Sequence, residues 1–155
     1  MSVAVLSVLA INVFVKPSTP SLRLGFEKGK PFGPVSRVDY RSSNQTLLIV
    51  LNTDCSYCRE SLPLFRNLSN AQPQDSKALH IVALFPNKES QVAQYVKENH
   101  FPVETVSEVD LSKLGVSGTP TMILVNDRGE VRDFWLGKLE NSEAEEVFRA
   151  LHLKK

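Results

Sequence analysis

The sequence predicts a layered α/β domain, and three observations carry that prediction. Two apolar runs, residues 47–51 (LLIVL) and 79–85 (LHIVALF), have the length and composition of strands buried in a sheet. Segments with apolar residues at helical spacing follow each of them, at residues 55–68 and 89–99. The chain then closes with a hairpin and a last helix, a succession that packs helices against a central sheet. With 155 residues the chain has room for one such domain with a real core.

Element by element, the reading begins with residues 3–15 (VAVLSVLAINVFV), apolar apart from Ser7 and Asn12. As a helix this run reaches about 20 Å, short of the roughly 30 Å core of a bilayer, and it lacks the basic start and small-residue cleavage site of a signal peptide. A cut-back membrane anchor, a core element, a buried valine-rich strand and an interfacial segment all fit. The Pro/Ser linker that follows, with Lys16, favours the anchor remnant. Residues 1–21 are therefore set apart as apolar segment and linker, and residues 22–155 as the domain. Within the domain, residues 22–26 and 35–40 read as short strands around a turn at 28–30. Residues 41–45 read as a polar turn, and 47–51 as a central strand. The helix over 55–68 carries Leu62, Phe65 and Leu68 on one face, with Pro63 inside it. Residues 79–85 make a second buried strand, and 89–99 an amphipathic helix ending before Phe101-Pro102. A short helical turn at 110–114 has Asp110 as its cap. Residues 121–125 and 131–136 form a hairpin across Asn126-Asp127-Arg128-Gly129, and residues 142–151 a final helix capped by Asn141 or Ser142.

Composition excludes several classes. Lys and Arg number 18 against 17 acidic residues, so there is no basic excess of the kind that binds nucleic acid. Two cysteines neither staple a mini-domain nor complete a tetrahedral metal site. They are, however, Cys55 and Cys58, in the sequence Cys55-Ser56-Tyr57-Cys58. Here a strand leads through Asn52-Thr53-Asp54 into a helix that opens at Cys55. Unpaired amides at a helix start favour a thiolate on the first sulfur, and the second lies one turn on, close enough to attack a mixed disulfide. Half of a metal site and an inert pair are the competing readings. A zinc site needs two more ligands, and His80, His100 and His152 show no paired spacing.

With these residues in place, the sequence resembles the thioredoxin superfamily, and within it the extracytoplasmic thiol-disulfide oxidoreductases of the TlpA/ResA type. The resemblance runs from about residue 22 to the C-terminus. Cys55-Ser56-Tyr57-Cys58 matches the redox motif, and Pro63 matches the proline that kinks the active-site helix. Gly118-Thr119-Pro120-Thr121 matches the loop that carries a cis-proline opposite the disulfide. The closing hairpin after Asn126, and the extra strand, helix and strand-like piece over 79–106, are similar to the family's. The resemblance implies a three-layer α/β/α sandwich with a central mixed sheet. It also implies a cis bond at Pro120, although X-Pro bonds are cis only about 5% of the time in general. Thr119 and Pro120 would hold a substrate strand.

The chain also departs from the family. Asp54 stands where tryptophan is usual; its carboxylate disfavours a Cys55 thiolate, whereas Arg59 favours it. Ile49 and Ser61 occupy the positions of the family's acids, and the nearest carboxylate, Glu60, is one residue off, about 100° around the helix. Glu60 reads either as a solvated helix residue or as a displaced proton acceptor. Phe134 and Trp135 read as core or hairpin aromatics. A peroxidase would want threonine where Asn52 stands. A copper carrier would space its cysteines wider and place a histidine in a loop, whereas His152 lies in the last helix.

The expectation is thus a protein-disulfide reductase cycling through Cys55 and Cys58, with Thr119 and Pro120 as substrate-binding residues and Asp54, Arg59 and Glu60 tuning the thiols. No cofactor or metal is expected. The partners implied are protein thiols or disulfides and an upstream dithiol donor, for a monomer held outside the cytoplasm, in the periplasm or on the outer face of the membrane. The alternatives are a thioredoxin-fold copper carrier or chaperone, and a non-catalytic binding module.

Overall fold

The computed structural model describes residues 24–75 and 77–154; the apolar run 3–15 and its linker lie outside the described residues. Five strands form one mixed sheet: β1 (Gln45–Val50), β2 (Leu79–Leu84), β3 (Glu104–Val106), β4 (Thr121–Asn126) and β5 (Val131–Leu136), in the order β3-β2-β1-β4-β5. β1 pairs parallel with β2, and β2 with β3; β4 runs antiparallel to both β1 and β5. The run of apolar residues at 47–51 therefore forms the middle strand, buried on both faces.

Alternation along β1 divides the core in two. Leu47, Ile49 and Leu51 face one side, where α1 (Ser56–Glu60), α2 (Leu62–Asn70), α3 (Glu89–Asn99) and α4 (Asn141–Ala150) bury their apolar stripes through residues such as Phe65, Tyr95 and Phe148. Edge-to-face ring pairs, Phe65 with Phe101 and Phe85 with Tyr95, knit that layer. Leu48 and Val50 face the other side, which among the described residues is covered by irregular chain carrying Phe26, Phe32, Val35, Leu114 and Val116. Its one regular piece is the 3-10 turn Tyr40–Ser42. The thioredoxin-like layering is thus present around the mixed sheet, with one helical cover and one built from turns.

That second cover is where the sequence reading needs correction. The expected strands at 22–26 and 35–40 do not form within the described residues. Pairing is confined to an isolated antiparallel bridge of Pro31 with Glu130, and Arg37, in the left-handed region with φ of 66°, breaks the second segment. The segment docks on the closing hairpin instead, through Gly29 N–H to Val131 O (2.7 Å), Val131 N–H to Lys30 O (2.9 Å) and Phe32 N–H to Gly129 O (2.8 Å). Its apolar side chains, Phe26, Phe32 and Val35, plug the sheet one by one. The expected helical turn at 110–114 is a single non-helical turn over 111–115, where the Asp110 carboxylate accepts from Ser112 N–H and Lys113 N–H. Gly25 and Gly115 join the two segments: Gly25 N–H donates to Gly115 O at 2.9 Å, and a Cβ on Gly115 would lie 2.3 Å from Gly25 Cα.

Two helix boundaries also shift. The helix expected over 55–68 is two helices meeting at Ser61, because Pro63 at the start of α2 has no N–H to continue the ladder of α1. α4 begins one residue early, so Glu140 takes the cap position expected for Asn141 or Ser142, its N–H donating to the Glu143 carboxylate at 2.9 Å.

Candidate active site

The site lies where the parallel strands β1 and β2 end, and each part of it arrives on a different loop. Residues 52–55 turn the chain from β1 into α1. Asn52 O accepts from Cys55 N–H (3.2 Å), and the Asn52 side-chain Oδ1 accepts from Asp54 N–H (3.0 Å). Thr53 N–H donates to Oδ1 of Asn87, in the loop after β2 (3.2 Å), and Asn87 Nδ2 faces Asn52 Oδ1 at 3.5 Å. The N–H groups of Thr53, Asp54 and Cys55 therefore all have partners.

Cys55 caps α1, with its sulfur accepting from Cys58 N–H at 3.1 Å. The two cysteines are joined in a disulfide with Cα atoms 5.2 Å apart. Their environments differ: Cys55 is half-buried at the surface, whereas Cys58 is 0% exposed within the helical-side core. Opposite them, Gly118, Thr119 and Pro120 enter β4. Thr119 O is 3.4 Å from Cys55 Sγ, Pro120 is buried, and the Thr119–Pro120 peptide bond is cis. Gly137 N–H, just after β5, donates to Pro120 O at 2.8 Å. A small groove of about 120 Å³ runs along Thr119, Pro120, Leu136 and Gly137. Tyr57 and Leu136 are the large apolar side chains left exposed among the described residues, and both belong to this region.

The remaining sequence candidates separate. Asp54 is exposed beside Cys55. The charge of Arg59 is felt on α3: burial pushes the Tyr95 phenol up, and the Arg59 and Arg66 guanidinium groups pull it back down. Glu60 is paired at the surface with Lys138, 2.6 Å away in the loop before α4, and this contact holds the Lys138 ammonium above its ordinary value. Ser61 is buried and donates its hydroxyl to Tyr57 O at 2.8 Å. His152 borders a cavity beside Gln45 and Leu79, at the opposite end of the sheet from the cysteines, and His80 sits near the start of β2, paired with Glu104 at 2.9 Å. The structure does not bring these histidines to the thiols. Among the described residues no cluster of three or more His, Cys, Asp or Glu side chains could hold a metal ion.

Asn87, Lys138 and Leu136 were not anticipated. Asn87 lies 34 residues from the turn it holds and Lys138 lies 78 from Glu60, and a single polar residue beyond a strand end carries no periodic signal.

The family model described as thioredoxin-like matches residues 44–131, which runs from the start of β1 to the first residue of β5 and takes in both cysteines and Pro120. The chain belongs to the thioredoxin-like family. Within it, the chain is 29% identical over 107 residues to the sporulation thiol-disulfide oxidoreductase A of Bacillus subtilis. The match covers 66% of this chain and 65% of that protein, so it spans slightly less than two thirds of the relative's length. Solved thioredoxin-like structures share the fold. StoA from Bacillus subtilis superposes with a TM-score of 0.58 at 23% identity, over 70% of this chain and 82% of its own. A thiol:disulfide interchange protein from a Bacteroides species reaches 0.66 at 19% identity, over 82% and 91%.

Proposed function

We propose that this protein is a thiol-disulfide oxidoreductase that reduces protein disulfides through a Cys55–Cys58 dithiol/disulfide cycle. The observation that carries the reading is the unequal placement of two bonded sulfurs: one reachable at a helix start, the other sealed beneath it. The reachable thiolate attacks, and the buried thiol resolves. The thiol-disulfide oxidoreductase relative supports the same reading.

In the reduced protein the Cys55 thiolate is favoured by the Cys58 N–H and by Arg59, and opposed by Asp54. It attacks one sulfur of the substrate disulfide, forming a Cys55–substrate bond and releasing the first substrate thiolate, which takes up a proton. Cys58 then gives up its proton and attacks Cys55 Sγ, breaking the mixed disulfide and releasing the second substrate thiolate. Two electrons pass from the dithiol to the substrate, leaving the Cys55–Cys58 disulfide for an upstream dithiol donor to reduce. Thr119 and Pro120 hold the substrate chain against Cys55, with the Thr119 backbone facing the sulfur as a short strand edge. Glu60, committed to Lys138, shapes the surface and not the proton route.

The domain works outside the cytoplasm as a monomer, tethered or exported through residues 1–21; the TlpA/ResA resemblance supports this placement. Among the described residues no helix is long and apolar enough to cross a membrane. The experiment is a dithiol-coupled insulin turbidity assay. Cys55→Ser is expected to lower the rate by about three orders of magnitude with the fold intact. Undiminished activity would refute the assignment.

A further inference from the structure

The turn before Cys55 has a second owner. Residues 52–54 could in principle be held by their own Asx turn, and Asn52 does supply two of the three bonds, to Asp54 N–H and Cys55 N–H. The third comes from across the fold. The Asn87 carboxamide presents its oxygen to Thr53 N–H and its nitrogen to Asn52 Oδ1, so one side chain engages both the backbone and the side chain of the turn. The amide orientations follow from this chain of contacts. Asn52 Oδ1 must accept from Asp54 N–H, so the group facing it from residue 87 must be a donor; Thr53 N–H in turn requires an acceptor. The Asn87 carboxamide supplies both from one planar group. Asn87 is anchored as well: its carbonyl accepts from Glu108 N–H (3.0 Å), and next to it Phe85 O accepts from Val109 N–H (2.9 Å). The loop after β2 is thereby fixed to the end of β3, and the carboxamide has a rigid base.

We propose that Asn87 is a positioning residue for the dithiol, holding the Asn52–Cys55 turn so that Cys55 Sγ stays over the Cys58 N–H. This rests on the reading of Cys55 as the nucleophile. A short helix such as α1 fixes its first residue weakly, and the contact that favours a Cys55 thiolate, Cys58 N–H at 3.1 Å, depends on where the turn delivers that residue. With the Asn87 contacts removed, Thr53 N–H loses its acceptor and Cys55 moves off the cap.

The test is the pH dependence of iodoacetamide alkylation of the reduced protein, which reads Cys55 because Cys58 is buried. It compares wild type with Asn87→Leu, Asn87→Asp, Asn52→Ala and the Asn52→Ala/Asn87→Leu double variant, with thermal midpoints measured in parallel. The neighbouring charges at Asp54, Arg59, Glu60, Lys138 and Glu108 stay the same throughout, and only Asn87→Asp adds a charge of its own. Asn87→Leu is expected to raise the Cys55 titration midpoint by about one unit and to slow alkylation at neutral pH about tenfold. Asn87→Asp keeps the acceptor for Thr53 but sets a carboxylate oxygen against Asn52 Oδ1, and shifts the midpoint at least as far. The double variant shifts no further than the larger single one, because both act through one turn. A midpoint shift below about half a unit in Asn87→Leu overturns the proposal, whatever happens to the thermal midpoint. Should Asn87→Leu not fold, the smaller, neutral Asn87→Ala takes its place, because the carboxylate of Asn87→Asp raises the midpoint by its charge alone. Because alkylation needs no turnover, wild-type protein that fails to reduce insulin would refute the oxidoreductase reading and leave this result standing.

Discussion

The two faces of the sheet are closed by different means. On one face, four helices lay amphipathic stripes over Leu47, Ile49 and Leu51, and burial there follows from spacing along each helix. On the other, among the described residues, irregular chain over 24–40 and 107–116 covers Leu48 and Val50 with single apolar side chains, pinned by backbone contacts such as Gly25–Gly115. The first cover is redundant, since many side chains share the load. The second depends on a few positions where two backbones pass close together. The dithiol draws on the helical side for the burial of Cys58, and on loops between the strands for everything that faces Cys55.

This contrast is sharpest at Gly115. Its φ is +68° and an added Cβ would lie 2.3 Å from Gly25 Cα, so Gly115→Ala is expected to lower stability by about 3–5 kcal/mol in urea unfolding. Gly29, with φ of +77°, has open space around it, and Gly29→Ala should cost only about 1–2 kcal/mol from backbone strain. Equal effects would mean that the close approach of the two segments contributes nothing.

A smaller effect is expected on the same face from Tyr40, whose hydroxyl donates to Gly33 O at 3.0 Å. Burial pushes its phenol up to about 12 from the ordinary 10.0. The unfolded chain therefore loses this proton first as pH rises, and the stability tied to it, full below pH 10, is lost progressively between pH 10 and 12. The loss is on the order of 2 kcal/mol, and Tyr40→Phe should abolish that part of the pH dependence in urea midpoints taken across the range. A slope that persists unchanged in Tyr40→Phe would assign it to other groups.

The smallest effect is expected at the Glu60–Lys138 pair on the helical face. Both residues are exposed, and an exposed pair adds little. Glu60→Gln should leave insulin reduction within about twofold of wild type across pH 6–8, where loss of a general base would lower it by about a hundredfold or more. A fall of that size would make Glu60 the proton acceptor for Cys58.

The same contrast explains what the sequence could convey. Helices α2, α3 and α4, and strands β1, β2, β4 and β5, are written as periodic or continuous apolar patterns, whereas α1 carries none, and the resemblance marked out Cys55, Cys58, Thr119 and Pro120. The second cover reads as strands because Leu22, Leu24 and Phe26 alternate in the sequence and Val38 and Tyr40 repeat that step, whereas Pro31, Pro34 and Arg37 turn the chain between and within these segments. In the site, the contacts of Asn87 with Thr53 and of Lys138 with Glu60 join residues far apart in sequence through one polar group each. Nothing local distinguishes such residues from any other surface amide or lysine; only the folded topology brings them together.

The division of labour between the sulfurs is tested most directly by trapping. Reduced Cys58→Ser and Cys55→Ser proteins are each mixed with a disulfide-bonded protein such as insulin, and the adducts are resolved without reductant. The expected result is a stable mixed disulfide through Cys55 in the Cys58→Ser protein and none in Cys55→Ser, because the remaining thiol there is sealed in the core. Equal trapping by both variants, or trapping by Cys55→Ser alone, would contradict the assignment of Cys55 as the attacking thiol.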